Sequence, residues 1–373
     1  MKKGMCVFLA GLMVLMTLAA SLAFAAEGGL KIALFSSPSD VRDGSFNENN
    51  YNGALAFLKD HPDASVTPLQ EKTGDVTAAL KLVEEVVADY DVLLCCGFQF
   101  SGIAEIAEDN PEARFILVDT WPTNPAGQEV EVENLYAMKF REQESGFLAG
   151  MAAALCSKTK KVAVVNGIAF PPNVNYQYGF MSGVHYANRH YGAGAEIVEL
   201  PSYSGTDVTG ANVGGNYVGS FSDMVNGKVV GQTLIREGCD VIFVAAGNSG
   251  NGVFTAAKEA RGVYVIGCDV DQYNDGVNGD SNIILTSVLK VMDVNDTRVL
   301  NEIADGKFKG GNYLLGADTD STGYIKKEGR CQLPKDVIEK LDQAFALMKS
   351  GTIVPAAFGN GMKPDSFTGL DAK

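Results

Sequence analysis

Histidine is scarce in this chain: among 373 residues there are three, His61, His185 and His190. The last two stand five apart in a helix-patterned run, off a common face, and make no metal pair. None of the seven cysteines belongs to a Cys-x-x-C pair, so the usual spacing of structural zinc is missing. No Walker sequence occurs, and Gly247-Asn248-Ser249-Gly250-Asn251 misses the Gly-x-Ser-x-Gly elbow at its last position. The stretch from Asp318 to Gly323 starts like a calcium loop, but Gly329 stands where the bidentate Glu belongs, which leaves a solvated turn. Positive charge is short as well, with 30 Lys and Arg against 45 Asp and Glu and a net charge of −15. That balance argues against nucleic acid and anionic lipid as partners. These absences leave catalytic constellations scarce and supply neither a zinc spacing nor a cofactor motif.

Apolar runs long enough to span a membrane are also missing beyond the N-terminus. There, Lys2 and Lys3 precede the apolar stretch Val7 to Leu22, and Ala23-Phe24-Ala25 fits the small-x-small cleavage rule. Residues 1–26 therefore read as a signal peptide, cleaved near Ala25 or Ala26 and delivering the protein to the periplasm. Cys6 lies before the apolar stretch rather than at the cleavage point, so no lipid anchor is expected. Six cysteines remain in the mature chain: Cys95, Cys96, Cys156, Cys239, Cys268 and Cys331. Most lie in apolar runs, where a thiol packs as a small hydrophobe, and buried thiols are favoured over a disulfide framework.

What is present is alternation. Continuous apolar strand candidates are Lys31–Phe35, Ala64–Pro68, Asp91–Cys96, Arg114–Val118 and Leu135–Phe140. A second set comprises Lys161–Val165, Ala195–Glu199, Asp240–Ala245, Val263–Gly267 and Asn282–Ser287. Helix-patterned runs separate them. Short apolar strands between helices mean parallel sheets buried on both faces, and two successive sets indicate two doubly wound α/β lobes.

Such sheets bind ligands at the C-terminal ends of their strands. Past the first strand come Ser37 and the block Asp43-Gly44-Ser45-Phe46-Asn47, which opens a helix. Free N–H groups gather at such a helix start. An aromatic residue there suggests that something flat is held. A plainer reading has Ser45 capping the helix and Phe46 stapling it to the core. Other strand ends supply Gly97-Phe98, Asp119, Asn166-Gly167, the Gly247–Gly252 turn and Asp269-Val270-Asp271. An Asp just past a buried strand is costly unless it is paired or faces a polar cleft.

With these motifs in order, the chain resembles the basic membrane protein (BMP) family. These are periplasmic-binding-protein-like receptors of ABC importers, related to a spirochaetal purine nucleoside receptor. The resemblance runs from about Lys31 to about Met348. It rests on Gly44-Ser45-Phe46-Asn47, Gly97-Phe98, Phe140-Arg141-Glu142-Gln143-Glu144 with Phe147-Leu148-Ala149-Gly150, and Tyr176-Gln177-Tyr178-Gly179-Phe180 with Gly183. It continues through Ala246-Gly247 to Gly250-Asn251-Gly252-Val253-Phe254, Gly267-Cys268-Asp269-Val270-Asp271-Gln272 and Thr286-Ser287-Val288-Leu289-Lys290.

The resemblance implies a type I periplasmic-binding-protein architecture with three hinge crossings, near Arg141, Tyr273 and Asn312. One lobe would hold residues 27–141 and 273–312, the other 142–272 and 313–350, with 351–373 as a C-terminal tail. It also implies a monomer that captures a purine nucleoside or base and delivers it to an ABC permease in the inner membrane. Phe46 and Tyr176 would stack on the two faces of the base, and Asp119 would hold its edge. Asp269 and Lys290 would bind sugar hydroxyls, while Asn47 and the Gly247 backbone would complete the cradle, with Asp43 and Ser37 beside them. Ser37 departs from the family, where many members have Asp. The competing readings are a secreted calcium-dependent nucleosidase using Asp269, Asp271 and Asp275, and a ligand sensor for a membrane receptor.

Overall fold

Ile32–Phe35, Val92–Cys96 and Phe115–Val118 are runs in which every side chain is fully buried. A strand without a polar face is stable only in a sheet covered on both sides. The computed structural model, which describes residues 29–373, contains two such sheets. The first is built from β1 (Lys31–Ser36), β2 (Ser65–Gln70), β3 (Val92–Cys96), β4 (Arg114–Val118) and β5 (Leu135–Phe140), joined late in the chain by β11 (Gly311–Leu315). Its order is β11-β5-β4-β3-β1-β2, all parallel. The second contains β6 (Lys161–Asn166), β7 (Glu196–Ile197), β8 (Val241–Ala245), β9 (Tyr264–Gly267), β10 (Ile284–Lys290) and β12 (Thr322–Tyr324). Its order is β12-β10-β9-β8-β6-β7, with only β12 antiparallel.

The two-residue period of a strand sends alternate side chains to opposite faces. Ile32 and Leu34 pack in one layer with α1 (Phe46–Asp60) and α8 (Met292–Ala304), whereas Ala33 and Phe35 pack with α2 (Val76–Val86) and α3 (Ala104–Asp109). In the second lobe α4 (Glu142–Cys156), α5 (Pro171–Tyr191) and α9 (Lys335–Lys349) cover one face. The other face carries α6 (Met224–Arg236) and α7 (Asn248–Glu259). The expected pair of doubly wound lobes is therefore present.

The chain passes between the sheets three times. The first passage is at Arg141, whose guanidinium pairs with Asp318 at 2.7 Å beside the third passage. The second falls at Val291, not near Tyr273, because β10 belongs to the second sheet and α8 to the first lobe. Residues 273–290 thus stay with the second lobe; the turn at Tyr273 leads only into a small hairpin, Val277–Asn278 against Ser281–Asn282. The third passage lies at Gly316 rather than near Asn312, since β11 pairs with β5 from Gly311↔Tyr136 to Leu315↔Phe140. Residues 351–373 are not a loose tail. Ile353, Ala356 and Phe367 are buried, Phe367 meets Phe147 edge-on, and the Tyr186 hydroxyl donates to Ala372 O at 2.8 Å. The expected signal peptide lies outside the described residues, and among those described no helix is long and apolar enough to cross a membrane. Of the six mature cysteines, Cys156 and Cys331 are half-buried and the other four are buried.

Helices α4 and α5 approach closely because glycines line the contact. A Cβ added to Gly150 would sit 2.0 Å from Phe180 O, and one on Gly183 would sit 2.0 Å from Phe147 O. Neither position can accept a methyl group unless the helices part, and these helices carry Glu142 and Tyr176 to the space between the lobes. Gly150→Ala should therefore cost about 1–3 kcal/mol of stability through overpacking. Urea unfolding reads this directly; an unchanged midpoint would show that the helices can separate freely.

Candidate functional site

The C-terminal ends of β1, β3 and β4 in the first lobe face those of β6, β8, β9 and β10 in the second. Between them lies a cavity with about 560 Å³ of open space. Ser37, Asp43, Phe46, Asp119, Tyr176, Gly247, Asp269 and Lys290 all line it. Asn47 does not. Its side chain is fully buried in the loop after β1, with Oδ1 accepting the Ser37 N–H at 3.0 Å and Nδ2 donating to Ser37 Oγ at 2.9 Å. It braces the loop instead of contributing to the cavity wall.

The helix start after that loop is capped by Asp43, not by Ser45. The Asp43 carboxylate accepts the backbone N–H groups of Ser45 at 2.9 Å, Asn47 at 3.3 Å and Glu48 at 3.1 Å. Burial pushes its carboxyl up from the usual 3.8 to about 6, against the pull of these three bonds and with a further push from Asp269. The Ser45 hydroxyl is thereby released to reach across the cleft, where it donates to Asp269 Oδ2 at 3.1 Å.

Asp119 and Asp269 occupy equivalent places, just past β4 and β9, and both have left-handed backbone, with φ of 76° and 69°. Non-glycine residues hold such geometry at a cost, and it concentrates at functional sites. Asp269 Oδ1 also accepts the Tyr176 hydroxyl at 2.8 Å. Lys290, the last residue of β10, spans the lobes: its Nζ lies 2.7 Å from Asp119 Oδ1 and 3.4 Å from Glu142 Oε1. Burial works against the ammonium, but Asp119, Glu142 and Asp269 outweigh it and hold the charged form well above the ordinary lysine range. Burial raises Asp119 above the usual carboxylate range; Lys290 opposes the shift, and Glu142 and Asp269 add to it.

Lys290 Nζ stands 5.2 Å from the centre of the Phe46 ring and 5.5 Å from that of Tyr176, within cation–π reach of both. Tyr176 is only 3% exposed, and its ring meets Phe243 edge-on at 5.6 Å. Three further aromatic rings complete the wall. Phe98 of the first lobe lies 5.2 Å from Phe170 of the second, and Phe170 lies 6.2 Å from Phe221. Phe170 directly precedes α5, just as Phe46 opens α1, so the same strand-end grammar points to it. Phe221 sits in the long excursion between β7 and α6 and carries no such signal. Gln99 and Asn173 also line the cavity and stand one position beyond Phe98 and three beyond Phe170, in the helical turns that follow.

The three aspartates of the calcium reading do not converge. Asp271 Oδ2 pairs with Arg330 Nε at 2.6 Å, and both Asp269 oxygens hold protein hydroxyls. Among the described residues no group of three His, Cys, Asp or Glu could hold a metal ion.

A family model described as "ABC transporter substrate-binding protein PnrA-like" matches residues 30–196 and 209–345. The chain is 29% identical over 342 residues to "ABC transporter nucleoside-binding protein BmpA" of Lactococcus lactis subsp. cremoris, covering 87% of each. It is 28% identical over 294 residues to "Basic membrane protein A" of Borreliella burgdorferi, covering 77% of this chain and 78% of that one. Its fold is similar to an ABC transporter solute-binding protein from Aeropyrum pernix K1. There the TM-score is 0.73 at 22% identity, over 89% of this chain and 94% of the other.

Removing one member of a buried ion pair leaves the others uncompensated, at a cost of roughly 3–5 kcal/mol. Lys290→Met should therefore destabilise the protein strongly at pH 8. Burial already holds the Asp119 carboxyl above its usual range and Lys290 opposes that shift, so without Lys290 the cost of its charged form is greatest at high pH and the deficit should shrink at pH 5. Adding Asp119→Asn should recover part of it. Urea unfolding at the two pH values measures this, and an equal deficit at both would contradict the charge argument.

Proposed function

The chain belongs to the Bmp family of ABC transporter substrate-binding proteins, and on that premise we propose that its interlobe cavity captures a purine nucleoside. Closure of the lobes over the ligand then presents the closed form to a membrane permease, without chemistry on the ligand. The observation that carries this reading is the pairing of aromatic walls with a charged, buried floor. Phe46, Phe98, Phe170 and Phe221 line the cavity together, and such rings suit a flat base. Asp119, Asp269 and Lys290 supply acceptors and a donor for a base edge and sugar hydroxyls. The nucleoside-binding name of the Lactococcus relative agrees with this reading.

Within this reading the roles shift slightly from those the resemblance implies. The Tyr176 ring packs edge-on against Phe243, and its hydroxyl is held by Asp269. We therefore assign the second face to the phenylalanine cluster and give Tyr176 the task of orienting Asp269 through its hydroxyl. Ser37 lines the cavity at the position where the family resemblance leads one to expect Asp, and it already accepts the Asn47 amide. It brings no charge to the ligand, which favours a ligand edge that needs no anionic partner there.

Stacking of a base on an aromatic ring contributes roughly 1–3 kcal/mol. Phe46→Ala should weaken inosine or guanosine binding about tenfold or more in calorimetric titration, while Tyr176→Phe has a smaller effect. Unaltered affinity in Phe46→Ala would remove the stacking assignment. In the same preparation, incubation with inosine and calcium should release no free base; release at an enzymatic rate would instead support the nucleosidase.

A further inference from the structure

Glu142 and Asn175 lie outside the cavity wall, yet an unbroken line of contacts joins them to it. The line begins in the C-terminal segment 351–373, beyond the family match, which ends at residue 345. This segment runs back over α5: Val354 bridges Thr368, the Ala356 N–H donates to Ser182 Oγ, and Leu370 O contacts His190 Nε2 at 2.8 Å. Where it passes the start of α5, the Phe358 N–H donates to Asn175 Oδ1 at 2.8 Å. Asn175 Nδ2 in turn donates to Glu142 Oε2 at 2.8 Å. The other oxygen of that carboxylate, Oε1, has no hydrogen-bond partner and points to Lys290 Nζ at 3.4 Å.

Glu142 is 1% exposed, and a carboxylate so deeply buried is stable only beside a cation and with its oxygens satisfied. Asn175 satisfies one oxygen and fixes the plane of the group, which leaves the other facing Lys290. Lysine is a point charge on a flexible stem, so one partner cannot hold its head in a defined place. Asp119 is a poor sole anchor, because it belongs to the opposite lobe and moves away when the lobes open. Glu142 belongs to the same lobe as Lys290 and stays.

We propose that Glu142 and Asn175 are positioning residues for Lys290, and that the C-terminal strap fastens them through the Phe358 N–H. Ligand affinity then depends on a segment that never touches the ligand. The inference rests on the reading that Lys290 faces a purine nucleoside. Lys290 keeps a counter-charge in the open state, and its ammonium meets the ligand already aimed.

The test combines calorimetric titration of the full chain with inosine and NMR detection of the exchange-protected Lys290 ammonium protons, identified by their loss in Lys290→Arg. Glu142→Gln, Asn175→Leu and Phe358→Pro each cut one link, and Phe358→Ala keeps the N–H as a control. The first three should weaken binding roughly tenfold or more and broaden the Lys290 signal, while the control changes neither greatly. Unchanged affinity with a sharp Lys290 signal overturns the proposal. Weakened affinity with an unchanged signal overturns it too, since the damage then reaches the ligand by another route. If the proline variant fails to fold, Ser182→Ala replaces it, removing the acceptor of the Ala356 N–H and so loosening the strap just before Phe358. If the wild-type protein binds no purine nucleoside, the reading of the site falls, and the ammonium signal alone decides the relay.

Discussion

A buried ammonium cannot be left without a counter-charge, and the arrangement around Lys290 follows from that constraint. Its head group lies where the two lobes meet, 2.7 Å from Asp119 on the far side and 3.4 Å from Glu142 on its own. Desolvation makes each of these charges expensive alone, so they are stable only together. The lobes are thus held in register by Asp119 and Lys290, which also line the cavity. Any ligand entering must replace what these charges give one another, and that requirement selects polar molecules with matched donors and acceptors.

Around this pair the lobes touch through a few directional bonds. Ser45 reaches Asp269, the Gln272 amide donates to Gly44 O at 3.0 Å, and Ser39 donates to Phe221 O at 3.2 Å. Phe98 meets Phe170 beside them. These contacts are small in number and surround the cavity, whereas the chain crossings at Arg141, Val291 and Gly316 carry the covalent continuity. Such a division suits hinge closure, in which a few passages flex while the sheets move as rigid bodies. The loop after β1 contributes to both functions, since Asp43 orders the helix start and frees Ser45 for the other lobe.

Much of this was legible in the sequence because buried parallel strands leave continuous apolar runs, and the ends of those runs locate the interlobe cavity. Asp119, Asp269 and Phe46 were found in that way. The second crossing was not, because a β10 strand and the small hairpin before it look alike whichever lobe they join. The strand expected at Ala195–Glu199 shrinks to Glu196–Ile197, since the chain leaves the sheet edge there for the long excursion that carries Phe221. Asn47 was misread because a polar residue in a binding loop has the same sequence signature whether it faces the ligand or the loop itself. Glu142 stood inside a recognised motif without a role, which only the placement of Asn175 and the C-terminal strap supplies.

Mass spectrometry of the small molecules released on denaturing freshly purified native protein tests the central claim most directly. A closed cavity of this shape, with aromatic walls and an Asp–Lys floor, should release a purine nucleoside in amounts approaching one per chain. Release of a sugar or amino acid with no purine attached would contradict the assignment of the aromatic walls to a base.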